Sequence, residues 1–342
     1  MIRPLTLAAG LALLVLAAFL DLSLALRGLL FAWAFCLGPA LGALALLLTH
    51  GLTGGRWGDA LRPTFAAFTA TLPWLALVAV VPAFFLGSLY GWPHGLEERP
   101  GVGTYWLNEP LFLARAALSL GFLAALALFL PAGRRAGVGV SAVGLVLYVV
   151  AVTVVALDWL MPLDPKWVST TYPALVAVQT ILEALALAAL FRAATEPAVA
   201  EDLGGLLLAA LLAVVYLAFM QYLVMWYSNL PEKVAWYAAR EAGFWPVLPV
   251  LAFLAGGLVP FLVLLPRASR RDPGTLAVMG GLVLLGVLLH LAWMVLPAGP
   301  GGWVLLPAAG GGLLVLGGLA LALPTGHRQR EAKRGAHGAH DA

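Results

Sequence analysis

LGGLLLAALLAVVYLAFMQYLVMWY, Leu203–Tyr227, contains no Asp, Glu, Lys or Arg. A helix of that length is long enough to cross about 30 Å of hydrocarbon. The run is continuously apolar and does not alternate, which selects a helix over a barrel strand. Nine further stretches read the same way: Leu5–Leu20, Gly28–His50, Phe65–Tyr90, Pro110–Leu130, Val138–Leu160, Thr170–Arg192, Gly243–Pro266, Thr275–Pro297 and Trp303–Leu323. Each is near the roughly 20 residues that a span requires. The pattern predicts an all-α polytopic membrane protein with about ten transmembrane helices. Residues 1–324 form one transmembrane domain, and residues 325–342 form a short cytoplasmic tail expected to be disordered.

Composition agrees. Of 342 residues, 63% are hydrophobic and only 10% charged, against about a quarter in soluble domains. Mean hydropathy is +0.98, which leaves too little polar surface to coat a water-soluble globule. The pI of about 9.2 does not mark a nucleic-acid binder, because the cations are scattered over loops and the tail. The first stretch carries Arg3 and small residues at Ala17 and Ala18, as a signal peptide does. Asp21 and the quick return to hydrophobicity offer no clean cleavage site, so it reads as a retained span.

Counted over ten spans, the loops on the N-terminal side hold 13 basic residues, among them Arg56, Arg62, Arg135, Arg192 and Arg267. The opposite side holds five: Arg27, Arg99, Lys166, Lys233 and Arg240. The positive-inside rule puts the richer side, and both termini, in the cytoplasm. The other side carries longer loops rich in Trp and Tyr, either an interfacial belt or a docking surface.

Cys36 is the only cysteine. The chain therefore has no intramolecular disulfide, no four-cysteine iron–sulfur ligation and no CxxCH haem attachment. Of the histidines, only His50 and His290 fall near a span, toward opposite sides, so a two-haem cytochrome b is excluded. No P-loop, HExxH or catalytic GxSxG is present. His337 and His340 lie in the polar tail, which reads as solvated and not as a metal site.

Burying an ionisable group in a bilayer is costly, so such groups mark candidate sites. Glu183 sits near the middle of the sixth stretch, with Gln179 on the same face one turn earlier. The carboxyl reads as a proton relay or a partner for a quinone or substrate, or else as an interhelical hydrogen-bonding group. Gln221, followed by Tyr222, lies about 10 Å into its span, seven residues before Ser228. His290 stands seven residues before Pro297, and Gln179 reaches a similar depth. These spacings place Gln179, Gln221 and His290 in the same half of the membrane, on the aromatic side. Asp158 and Asp164 flank the loop after the fifth stretch, near Lys166, as a surface salt bridge or a proton mouth. Arg115 reads as snorkelling.

Three stretches carry a family resemblance: DWLMPLDPKWVSTTY (Asp158–Tyr172), FMQYLVMWYSNLPEKVAWYAAREAGFW (Phe219–Trp245) and VPFLVLLPRASRRDP (Val259–Pro273). They resemble the F subunit of alternative complex III, a quinone-associated membrane subunit of the polysulfide-reductase (NrfD-like) superfamily. The signature positions are Asp164, Pro165 and Trp167 in the first, and Trp226, Tyr227, Asn229, Pro231, Glu232, Trp236 and Tyr237 in the second. The match spans the fifth to ninth stretches; the first four resemble the family only in hydropathy. Lys166 stands where the family has His, and Ser228 where it has Ala. The resemblance implies ten helices with two four-helix bundles, in a bacterial cytoplasmic membrane. It implies a subunit of a quinol:cytochrome c (or other acceptor) oxidoreductase that is not catalytic alone. It implies quinone or menaquinone as the bound group and no covalent cofactor or metal on this chain. Haem c and iron–sulfur clusters belong to the partners: a paralogous C subunit, an iron–sulfur subunit, multihaem and monohaem cytochrome c subunits and small membrane subunits. Glu183, Gln179, Gln221, Tyr222, His290 and Asp158, picked out by their place in the spans and not by any family motif, are the candidates for a proton path or quinone contact. A secondary transporter and a purely structural assembly subunit are the alternatives. Against transport, no matched pair of Gly/Pro-broken segments is evident in two halves.

Overall fold

The computed structural model describes residues 2–95, 100–130, 135–228, 231–297 and 304–318, without the side chains of 2–4, 100, 104 and 231–233. Every regular element among them is helical. Eight helices are long and apolar enough to cross a membrane: α2 (Leu22–Thr53), α3 (Arg56–Phe84), α4 (Glu109–Phe129), α5 (Val138–Leu163), α6 (Tyr172–Leu190), α7 (Pro197–Ser228), α9 (Val247–Leu264) and α10 (Pro273–Val295). The apolar helices α1 (Ile2–Leu20) and α11 (Leu305–Gly318) flank them, and the short α8 (Pro231–Ala238) joins α7 to α9. The expected His337 and His340 tail lies outside the described residues.

Local chemistry sets the helix ends. Asp21, Asn108 and Asp272 are N-caps of α2, α4 and α10, each accepting from backbone N–H groups of the first turn. α6 ends with Arg192 at φ +52°, and Ala193 N–H bonds back to Ala188 O at 3.0 Å, a Schellman closure. α3 begins at Arg56, earlier than the apolar stretch from Phe65 suggests, and it is interrupted near Ala70–Thr71 and Ala79. Pro73 and Pro82 account for both breaks, since each lacks an N–H and crowds the carbonyl four residues back. Two spans contain π-helical turns: Ala156–Leu160 in α5 and Ala252–Leu258 in α9. Such turns often mark sites of function.

α2 packs along α3, α5 and α6, and α4 packs on α3 and α5. α6 continues the contact network onto α7 and α10, and α9 lies against α10 and the lower part of α7. Gly256 and Gly286 let α9 and α10 touch backbone to backbone, where a Cβ on either would collide with the other helix. Small residues at such crossings are how helices associate in lipid, where no hydrophobic force separates helix from solvent. The neighbourhood of α2–α5 is filled with rings: Trp33, Trp159 and Phe112 are all buried, at 5.1 Å between Trp33 and Trp159 and between Phe112 and Trp159. The neighbourhood of α6, α7, α9 and α10 is not filled in this way.

Candidate functional site

Between α6, α7, α9 and α10 lies a cavity of about 740 Å³. That is within the 300–1,000 Å³ typical of small-molecule sites. Its walls are mainly aliphatic and aromatic, including Leu211, Val214, Ala218, Phe253, Val283 and Val287. Its polar groups are few: Gln179 from α6, Gln221 and Tyr222 from α7, His290 from α10, and Tyr237 just inside the loop end of α8. The three residues matched by depth in the sequence, Gln179, Gln221 and His290, thus line one space. On the outer side Phe219 and Tyr222 of α7 and Val250 and Phe253 of α9 line the cavity while about half exposed. The cavity therefore reaches the lipid-facing surface between α7 and α9.

A hydrogen-bonded string leads inward. His290 Nδ1 lies 3.3 Å from Gln179 Oε1, and Gln179 Nε2 donates to Glu183 Oε1 at 3.2 Å. Because Gln179 turns its carbonyl to His290, Nδ1 carries the hydrogen and Nε2 is the ring's acceptor. Glu183 is 1% exposed, and its Oε2 has no hydrogen-bond partner among the described residues. A second, small cavity of about 30 Å³ lies beside it, lined by Tyr172, Gln179, Thr180, Glu183, His290 and Ala34 among others. Gln221 accepts from Ser169 Oγ at 3.4 Å and bonds the Tyr237 hydroxyl. Burial holds the Tyr237 phenol above its ordinary value of 10.0, against the opposing pull of Gln221, so it is a neutral donor at physiological pH.

The roof joins the loop between α5 and α6 to the loop between α7 and α9. Trp167 stacks on Trp236 at 4.6 Å, and the guanidinium of Arg240 covers the Trp236 ring at 3.6 Å. Arg240 also donates to the carbonyls of Trp236, Trp293 and Met294, the last two at the end of α10. A cation there complements the carbonyl end of the helix. Burial lowers its pKa to about 10, opposed chiefly by the Asp164 charge, so it remains cationic at neutral pH. Arg240 thereby ties Trp236 to the end of α10, beside Tyr237 and Trp293 of the cavity wall. Trp293 follows His290 by three residues, which is the only hint of its place in the sequence.

Other expected residues lie elsewhere. Asp158 is outside both cavities and is not part of a surface salt bridge with Lys166. It is wholly buried in the π-helical turn of α5, where Arg115 Nε and Nη2 donate to its two oxygens at 2.8 and 3.1 Å. Arg115 does not snorkel: it binds Asp158, donates to Trp106 O and covers the Trp106 ring at 4.2 Å. Asp164 accepts from the Lys166 N–H in a tight turn, with Pro165 between them. Trp226 and Tyr227 are exposed at 65% and 84% and face away from the cavity. Asn229 lies outside the described residues, as do the side chains of Pro231 and Glu232.

Sequence reasoning gave no role to His50. Arg62 Nη2 donates to its Nδ1 at 2.8 Å, so Nε2 holds the hydrogen, facing Gly55 O at 3.1 Å and Asp59 Oδ1 at 3.4 Å. This cluster and the ion pairs Arg56–Asp202, Glu201–Arg267 and Glu201–Arg271 occupy the basic-loop side. Among the described residues no group of three His, Cys, Asp or Glu could hold a metal ion. No protein-family model matches the chain, and no curated protein matches it.

Proposed function

We propose that this chain is the quinone-associated membrane subunit of a quinol-oxidising respiratory complex of the alternative complex III type. On this reading α1 and α11 complete ten spans, α2–α5 supply one four-helix bundle and α6, α7, α9 and α10 the other, and both termini face the cytoplasm. The observation that carries the proposal is the 740 Å³ apolar cavity with Gln221, His290 and Tyr237 at its polar end. It meets the lipid between α7 and α9, so its natural occupant is lipophilic and arrives from the bilayer. A quinone fits these residues: flat rings match the apolar walls, and ring oxygens find donors in the Gln221 amide and the Tyr237 hydroxyl. When bound, a quinol supplies two electrons and two protons. The electrons would go to metal centres that partner subunits would hold. His290 Nε2, the ring's acceptor, can take a proton at the cavity wall, and Glu183 can hold one deeper in the span. The roof of Trp236, Tyr237 and Trp293 keeps water from the polar end.

The test is purification from the native membrane, with mass spectrometry and haem staining of what accompanies the chain, and photolabelling with an azido-quinone. Co-purifying c-type haem and iron–sulfur subunits, with labelling of α7 or α10 that is abolished by Ala218→Trp, is the expected result. A partner-free chain whose labelling ignores Ala218→Trp overturns the proposal, and solute flux in proteoliposomes would then favour a transporter.

A further inference from the structure

The two cavities share two wall residues, Gln179 and His290. Glu183 lines only the small one. The hydrogen-bonded string His290–Gln179–Glu183 therefore looks like a route between the large cavity and the carboxyl, but its middle member cannot carry a proton. An amide nitrogen keeps its hydrogens and an amide oxygen is scarcely basic, so Gln179 transmits a hydrogen bond and nothing more. The small cavity offers the way around it. A buried water needs about 10–15 Å³ of such volume and two to four polar partners. The cavity has about 30 Å³, and Glu183, His290, Thr180 and Tyr172 are among its walls. Glu183 Oε2 is buried and lacks a partner, which is the condition that ordered internal water relieves.

We propose that the small cavity is a water site bridging His290 to Glu183, so that protons bypass Gln179. The imidazole takes a proton from the large-cavity side at one nitrogen and gives one up to the water. The water in turn gives one of its own to the carboxylate. One proton moves, only N–H and O–H bonds change, and no electrons are transferred. The titratable neighbours of the carboxyl are His290 and Tyr172 across the cavity and Cys36 on α2. Ala34, one turn before Gly38 on α2, is the wall residue whose size controls the space. The source of the protons rests on the function proposed above; the water itself does not.

The experiment uses the full-length protein in lipid nanodiscs. Infrared difference spectra after a pH step give the Glu183 signal, defined by its loss in Glu183→Gln. Ala34→Val should slow that signal by about tenfold or more at unchanged amplitude, with binding of decylubiquinone unchanged. Ala34→Ser, whose hydroxyl replaces the water's hydrogen bonds, should stay near the wild-type rate. An Ala34→Val protein as fast as wild type, or a wild-type carboxyl that gives no signal at any pH where the protein is folded, overturns the proposal. If Ala34→Val does not fold, a structure of the wild-type protein that resolves waters decides: density touching both Glu183 and His290 supports the site, and its absence removes it. Loss of decylubiquinone binding in the wild type would overturn the quinone reading and leave the water site standing.

Discussion

Glu183 depends on a residue far away in sequence. A Cβ on Gly38 would overlap the Glu183 carboxyl, so glycine on α2 makes the room in which the acid sits. Gly38→Ala should therefore cost about 1–3 kcal/mol, the usual penalty of overpacking. The cost should largely vanish in a Glu183→Ala background and persist in Glu183→Gln, whose side chain is the same size. Unfolding in detergent, run as a double-mutant cycle, checks this; equal costs in both backgrounds would show that the two residues do not meet. Arg115 and Asp158 are a second such pair. Removing one partner of a buried ion pair costs about 3–5 kcal/mol, and the partial exposure of Arg115 argues for the lower end. Arg115→Ala should thus lose about 3 kcal/mol, whereas Leu at both positions should recover most of it. If Arg115→Ala is as stable as wild type, the pair is not closed in the membrane. That Gln179, Gln221 and His290 could meet was legible because counting residues from a helix end fixes height along the helix, and all three line one cavity. The Gly38–Glu183 and Arg115–Asp158 contacts were not, because height says nothing about which helices are neighbours or how each is rotated.

Helices begin and end by rules that are local, yet the apolar pattern marks only the part of each helix that contacts lipid or core. The α7 stretch from Leu203 is contained in a helix starting at Pro197, because Glu201 and Asp202 are held in helix by Arg267, Arg271 and Arg56 outside the apolar run. The α10 helix opens on Asp272, whose carboxylate accepts from the Thr275 hydroxyl and from the N–H groups of Thr275 and Gly274. The Thr275 hydroxyl bond leads in holding the Asp272 pKa below its ordinary value of 3.8. A depressed carboxylate stabilises the fold fully above its unfolded value, and the benefit is lost as pH falls through the folded one. The first turn of α10 should therefore lose protection, measured against the intrinsic exchange rate at each pH, as the pH falls through the Asp272 pKa, and Asp272→Ala should show that lower protection already at neutral pH. Hydrogen exchange resolved to Gly274–Leu276 measures both, and equal protection in Asp272→Ala would mean the cap contributes nothing. The stretch Phe65–Tyr90 reads as unbroken, although Pro73 and Pro82 inside it carry the reason for the breaks in α3; the π-helical turn of α9 has no such local signal. It lies between Pro249 and Pro260, and its Gly256 is shaped by the contact with Gly286 on another helix.

At the scale of the molecule, charge and cavity are arranged on opposite sides. The ion pairs Arg56–Asp202 and Glu201–Arg271 tie α3, α7 and the α9–α10 link together on the basic side. The aromatic roof of Trp167, Trp236 and Arg240 closes the other side, above His290 and Gln221. If the basic side is cytoplasmic, the polar end of the cavity lies in the outer half of the membrane, and protons taken from an occupant there leave outward unless they are drawn inward to Glu183. On the proposed function, orientation decides whether proton transfer to Glu183 works with or against proton release to the outside. A cysteine-free background is available through Cys36→Ala, since Cys36 is the only cysteine. In it, Lys166→Cys should react with a membrane-impermeant maleimide on intact spheroplasts, and Ala268→Cys should react only after they are permeabilised. The reverse pattern would invert the molecule, placing the cavity's polar end toward the cytoplasm and making His290 a group that takes up protons from inside. Labelling of both sites from outside would mean that the number of spans between them is even, contrary to the three helices α6, α7 and α9 that separate Lys166 from Ala268.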